Sequence, residues 1–474
     1  MHTPVSRRAL LVASVLIGAP AAGRARRHDF DLIVIGAGLS GLNAAVTAQG
    51  QGARVVVLEA RDRIGGRIYT LDGMPGRPEA GANTFGDGYG SALSAAVAAG
   101  VTMDDITPAL RRAQPAALII NGERIAREAW AGHKANPLPA AWRQFMPAEA
   151  GVRAMQTHPI VQTPEAWVDP ASPIADGSVA QWLAGQGFSP AAIDLAWDTS
   201  PAYGNSAAEA SALHIGFIQG WLNGQRAMGS SQYAVVGGNQ RLPEGLAAAL
   251  REPVRLRQTV RRVSQDAAGV AVTTADGRTL TAGRAIISAP LPALRGISFD
   301  PPLPPLQAEA VARIGYQAIS MVFLEALAPF WLEDGISPSM WTNGDAGWVA
   351  AAPFGENPAQ PVNGLVVHGR GALARRWRLM GAEAAKASSI AAIEALRPAA
   401  KGRLRALHYQ AWADDPFAGG AWAIHAPGQP RRLGPVLAAP HGRLFFAGEH
   451  CSTDQRGMEA AASSGFAAAM AALS

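Results

Sequence analysis

A chain of 474 residues, about half of them hydrophobic, is long enough for two or three domains with ample core. Its one cysteine, Cys451, excludes an intrachain disulfide, and its ten histidines show no HExxH or close-paired metal spacing. The net charge of +5 lies wholly in Arg7, Arg8, Arg24, Arg26 and Arg27. Beyond residue 27 the chain carries 36 basic against 36 acidic groups, so its basic balance is no argument for a nucleic-acid partner.

The first 27 residues read as an export signal. Ser6-Arg7-Arg8 opens a short apolar run through Ile17, and Ala19-Pro20-Ala21 offers small residues for cleavage. The run is too short to span a membrane. Its paired arginines resemble a twin-arginine signal, used for proteins exported already folded. A periplasmic or secreted protein with no membrane span in the mature chain is expected.

Phe30 to Ile35 is an apolar run broken only by Asp31, as in a parallel strand buried on both faces. Gly36, Gly38 and Gly41, with Ser40 between them, form a GxGxxG turn that lets a pyrophosphate approach the backbone. The following helix, about Leu39 to Gln49, offers the phosphates its free N–H groups. Val55 to Leu58 is a second strand, with Glu59 at its tip placed to accept from a ribose hydroxyl. Together these predict a dinucleotide site.

Leu58-Glu59-Ala60-Arg61, followed by Gly65-Gly66-Arg67, resembles the signature of FAD enzymes of the amine oxidase superfamily. The resemblance implies that Gly66 and Arg67 lie along the diphosphate and flavin, and that Glu79 to Asn83 returns to the flavin ring. Two glycines permit close backbone approach, and an arginine offers a planar fork of donors to an anion.

Farther on, Ala92 to Ala99 reads as a short helix. Ala116 to Ile120 and Glu123 to Ala126 read as a hairpin with a type I′ turn at Asn121-Gly122. Residues 140–225 are mostly helical in pattern, with Ser178 as an N-cap. The six tryptophans from Trp130 to Trp221 are expected in the core rather than around a substrate. Tyr233 to Pro243 resembles the family's GGM-x-x-L segment, followed by a helix over about 244–250. Strands are expected over 254–263, 269–274, 279–281 and from Ala285 to a stop at Pro290. In the family the residue matching Val260 pairs its backbone with adenine. Phe299 to Pro304 matches the crossover into the second half of the substrate domain, where Ser320 to Leu324 and Leu365 to Val367 are strand candidates and Ala382 to Leu396 a helix.

The C-terminal end carries a second resemblance. Trp412 with Asp415-Pro416 through Trp422 looks like the family's W-x-x-DP-x-x-x-G-x-Y/W, and Arg443 to His450 like its R-L-x-F-A-G-E-x. A last helix opens near Gly457, its positive end toward the flavin edge that becomes negative on reduction. The implied architecture is α/β, a Rossmann-like FAD-binding domain of the two-dinucleotide-binding-domain type, with an α+β substrate domain built from insertions. Residues 28–86, 230–292 and 415–474 are assigned to the first, and 87–229 and 293–414 to the second.

The implied cofactor contacts are Gly36, Gly38, Ser40, Gly41, Glu59, Ala60, Arg61, Gly66, Arg67, Ala82, Asn83, Val260, Gly448, Glu449 and Met458. FAD is expected to be non-covalent, because Ala421 stands where some relatives carry the tethering cysteine. The implied chemistry is transfer of a hydride equivalent from the carbon beside an amine nitrogen to flavin N5. The imine formed hydrolyses to an aldehyde or ketone, and the electrons go to O2 or a periplasmic carrier. Trp422 matches one aromatic wall over the flavin, whereas the opposing position holds Gly457. The Glu79–Asn83 stretch lacks the arginine that amino-acid oxidases place near the substrate carboxylate, and residues 289–305 lack the lysine that many relatives keep near N5. Two other readings fit the same motifs: a C–C or ring dehydrogenase of related fold, and a flavin-binding protein without turnover. A homodimer is compatible with the sequence.

Overall fold

The computed structural model describes residues 28–112, 115–354 and 362–474; the export signal read over residues 1–27 lies outside them. The protein is a mixed α/β fold in which Phe30–Ile35, apolar but for Asp31, is the second strand from one edge of a seven-stranded sheet. It pairs in parallel with Val55–Leu58 on one side and with Thr279–Ile287 on the other. Thr279–Ile287 was expected as two strands but runs through without a break. Its first half pairs antiparallel with Val270–Thr274, and its second half pairs in parallel with Leu444–Phe446. Gly283 and Arg284 interrupt the apolar pattern. The interruption is tolerated because Arg284 reaches the Ala472 carbonyl at the C-terminal end of the last helix, where a cation is favoured.

Two other boundaries moved. The strand expected over 254–263 begins at Val260, since Arg255 instead bridges Leu58. The helix after the GGM-like segment runs over Arg241–Ala248, starting three residues early. The hairpin at Asn121-Gly122 has both residues at positive φ, 53° and 80°, as a type I′ turn requires. Ser178 caps its helix in a reciprocal box with Gln181, at 3.1 and 2.8 Å.

A second seven-stranded sheet has the order 404–411, 319–326, 364–370, 348–352, 340–342, 117–120, 123–125. Several of these strands are short or carry Trp, His and Arg, so their alternation is weak in sequence. Over the other flank lie short helices and the long helix Ala212–Met228, packed round Trp130, Trp167 and Trp197, all almost wholly buried. Among the described residues no helix is long and apolar enough to cross a membrane.

The first helix, Leu39–Gly50, packs directly against the last, Gly457–Leu473. Asn43 Nδ2 donates to the Ala462 carbonyl at 2.8 Å, and a Cβ at Gly465 would fall 2.2 Å from the Ser40 carbonyl oxygen. Only glycine permits that approach. Gly465→Val should therefore destabilise the fold by about 3 kcal/mol, the upper end of overpacking costs. A wild-type melting temperature for the purified variant would contradict this packing.

Candidate active site

The strands ending at Ile35, Leu58, Ile287 and Phe446 point their carboxyl ends to one sheet edge, where a cavity of about 770 Å³ opens. Ligands of open parallel sheets bind at this edge. At the first crossover a Cβ at Gly38 would meet no atom within 4 Å, so the backbone there faces open cavity. The helix Leu39–Gly50 has no side chain capping its N-terminus and no acid in its first turn, which leaves N–H groups for an anion. Glu59 is buried, and its two carboxylate oxygens accept from Ala37 N at 2.8 Å and Arg61 N at 2.9 Å. These bonds fix the carboxylate at the cavity wall.

The C-terminal segment completes the same wall. Arg61 pairs with Asp415 at 2.7 Å and lies over the Phe417 ring. Arg67 donates to the Ala421 carbonyl and stands 3.6 Å from Glu449. Glu449 is almost wholly buried; one oxygen accepts from Ala423 N at 3.3 Å. The other, Oε1, lies 3.3 Å from an Arg456 nitrogen and has no hydrogen bond. A buried carboxylate oxygen left in this state fits a ligand hydroxyl. The glycine cradle, the uncapped helix and this orphaned acceptor together fit a flavin dinucleotide.

The 79–83 segment is clamped from two sides. Glu79 accepts from Thr70 Oγ1 at 2.9 Å and from Asn239 N at 2.7 Å, Asn239 Nδ2 donates to the Ala82 carbonyl, and Trp412 Nε1 donates to the Ala80 carbonyl. Burial pushes the Glu79 carboxyl up to about 7.

Of the residues read from the sequence, Gly36, Gly38, Ser40, Glu59, Ala60, Arg61, Gly66, Arg67, Ala82, Asn83, Val260, Trp422, Gly448, Glu449 and Met458 all line this cavity. Gly41 does not. A Cβ there would lie 2.0 Å from the Gly36 carbonyl, so it serves helix–strand packing. Trp422 and Gly457 are neighbours, with a Gly457 Cβ falling 3.5 Å from the indole. Tyr203, His368 and Arg370 also line the cavity, and sequence reasoning passed over them. Tyr203 lies in a stretch that reads as core. His368 and Arg370 follow directly on the apolar run Leu365–Val367, and a cation ending such a strand was the available signal. Burial holds the His368 and His450 imidazoles down near 3, so both are neutral.

Residues 39–473 match the sequence pattern of the family described as flavin containing amine oxidoreductase. The L-amino-acid oxidase of Protobothrops flavoviridis is 25% identical over 459 residues, covering 92% of this chain and 88% of that one. The enzyme of the same name from Bungarus fasciatus is 26% identical over 460 residues, covering 92% and 86%. Cyclohexylamine oxidase from Brevibacterium oxydans superposes with a TM-score of 0.74 at 25% identity, over 94% of this chain and 98% of that one. Putrescine oxidase bound to putrescine has a TM-score of 0.73 at 23% identity, over 94% and 99%, a likeness of fold.

The raised Glu79 pKa sets a pH dependence. Unfolded, the carboxyl loses its proton near its ordinary 4.5; folded, it keeps the proton to about 7. Its contribution to stability is thus fully present below pH 4.5 and lost as pH rises through 7. Glu79→Gln should flatten that part of the profile. Melting temperatures of the two proteins from pH 4 to 8 check it, and parallel profiles would refute it.

Proposed function

The chain belongs to the flavin-containing amine oxidoreductases and is an FAD-dependent amine oxidase, and from that premise we propose that it oxidises an amine to an imine by loss of a hydride equivalent from the carbon beside nitrogen. The imine takes up water and releases an aldehyde or ketone with ammonia or a smaller amine. One observation carries this reading: a single cavity joins the glycine cradle, with Glu59 and Glu449, to a chamber walled by Trp422, Tyr203 and His368.

FAD, when bound, supplies the acceptor for the substrate's two electrons. Glu59 would accept from its ribose, the Gly36–Gly38 turn and the uncapped helix would receive the diphosphate, and Glu449 Oε1 would accept from a further hydroxyl. Trp422 and Tyr203 exclude water and orient the amine, which reacts as the free base. Neutral histidines in the chamber place no cation against that nitrogen.

In this reading the mature enzyme is exported and passes its electrons to O2 or to a periplasmic carrier. None of the three lysines lines the cavity, and Arg295 is tied to the Val311 and Ile314 carbonyls at 2.9 and 2.8 Å. Both facts favour slow reaction with oxygen. An anaerobic panel of amines, read at the flavin absorption band, tests the proposed chemistry. At least one amine should bleach the flavin, with a carbonyl product on work-up; bleaching by none would refute the reading.

The cofactor is held without a covalent bond. Cys451, the only thiol, is buried, donates toward the Leu437 carbonyl at 3.6 Å and lies outside the cavity lining; burial raises its pKa far above the usual thiol range. Ala421 occupies the cavity wall instead. Acid precipitation should leave the yellow colour in the supernatant, and colour in the pellet would show a tether.

A further inference from the structure

Arg370 ends the strand Gly364–Arg370, in register with Ile319 of the neighbouring strand. Its guanidinium lies 4.9 Å over the Trp348 ring, on which His368 also stacks at 4.5 Å. The group lines the main cavity and a second one of about 400 Å³, which share only Ala202 and Arg370. Its Nε is buried without a hydrogen-bond partner. Among the described residues no carboxylate pairs with it, and the one group whose charge offsets the burial is the Tyr203 phenol. Burial raises the Tyr203 pKa, so the phenol is a neutral O–H donor. Two other cavity arginines differ, as Arg61 meets Asp415 and Arg67 lies beside Glu449, and a third, Arg261, is exposed to solvent.

A half-buried guanidinium whose Nε is shut away from solvent stays charged and is costly to leave unpaired. The glycine turn, Glu59 and Glu449 border only the main cavity, whereas Arg370 borders both, beside Tyr203 and His368 in the first and Trp348 in the second. A planar fork of N–H donors beside a phenol O–H matches a carboxylate, which takes two parallel hydrogen bonds from such a fork.

We propose that Arg370, assisted by Tyr203, binds a carboxylate carried by the amine substrate, so that the enzyme acts on amino carboxylates rather than on simple amines. The assignment rests on the amine-oxidase reading above. It places substrate selection on a strand of the second sheet, in a chain whose 79–83 stretch has no arginine to do it.

The test compares matched compounds on the flavin-loaded enzyme: L-phenylalanine with its amide and with 2-phenylethylamine, and 4-aminobutanoate with its amide and with butylamine. In at least one series the carboxylate should exceed its uncharged partners in kcat/KM by about tenfold or more, as expected for charge-assisted hydrogen bonds. Arg370→Met should erase that preference, chiefly through KM, and Arg370→Lys should restore part of it. Separately, benzoate titrated into the oxidised enzyme should perturb the flavin spectrum, with a Kd raised about tenfold in Arg370→Met. If that variant is lost to misfolding, Arg370→Lys and Tyr203→Phe serve the same comparison. Equal or better use of the uncharged amines by the wild type, or an undiminished preference in the variants, overturns the assignment. If no amine bleaches the flavin, the oxidase reading fails. The benzoate titration then decides Arg370 alone, weaker binding in the variant upholding the anion site and unchanged or absent binding overturning it.

Discussion

Parallel pairing of the strands that end at Ile35, Leu58, Ile287 and Phe446 is the constraint on which the cavity depends. Parallel strands deliver their carboxyl ends to the same edge, so four separated segments place their next residues side by side: Gly36, Glu59, Ser288 and the Ala447–Glu449 turn. The pairing holds because these strands are apolar on both faces and covered on both. A single register slip would carry Glu59 away from Ala37 N and leave its carboxylate buried without donors.

The electrostatics follow from that convergence. At the cavity Glu59 and Glu449 are buried and Glu79 is half-buried, and each is held by backbone N–H groups, hydroxyls or nearby arginines. The bonds come from segments remote in sequence, as when Arg61 reaches Asp415 and Glu459 accepts from Ser91 N and Ala92 N at the start of another helix. Each such link ties the closing part of the chain to its opening part. The polar network therefore positions the walls as much as it charges them.

The legible parts of the fold are those in which local pattern and tertiary role agree. Phe30–Ile35 and Val55–Leu58 could be read to the residue because they are apolar but for Asp31 and bounded by turn glycine or charge, and Ala382–Leu396 because it is rich in alanine and free of glycine and proline. The strand Thr279–Ile287 was read as two because its continuity depends on a carbonyl at the far end of the chain accepting from Arg284. The nucleotide end of the cavity was visible in glycine spacing and in Glu59. The chamber end was not. Tyr203 stands in a loop that reads as core, His368 and Arg370 end a strand of the second sheet, and only tertiary folding brings that loop to that strand end.

The route by which the last sheet strand joins has a kinetic corollary. Thr279–Ile287 has one stretch of edge that stays unpaired until Leu444–Phe446 arrives, and Glu449 and the capping helix come later still. A chain emerging vectorially can build the first βαβ crossover early, yet the cofactor cradle gains its far wall only when Leu444–Phe446, Glu449 and the helix Gly457–Leu473 have been made. Contacts of such long sequence separation close slowly. Until then the exposed half-strand is a place where another chain could pair. Flavin capture thus waits on the segment from Leu444 onward, however early the glycine turn has formed.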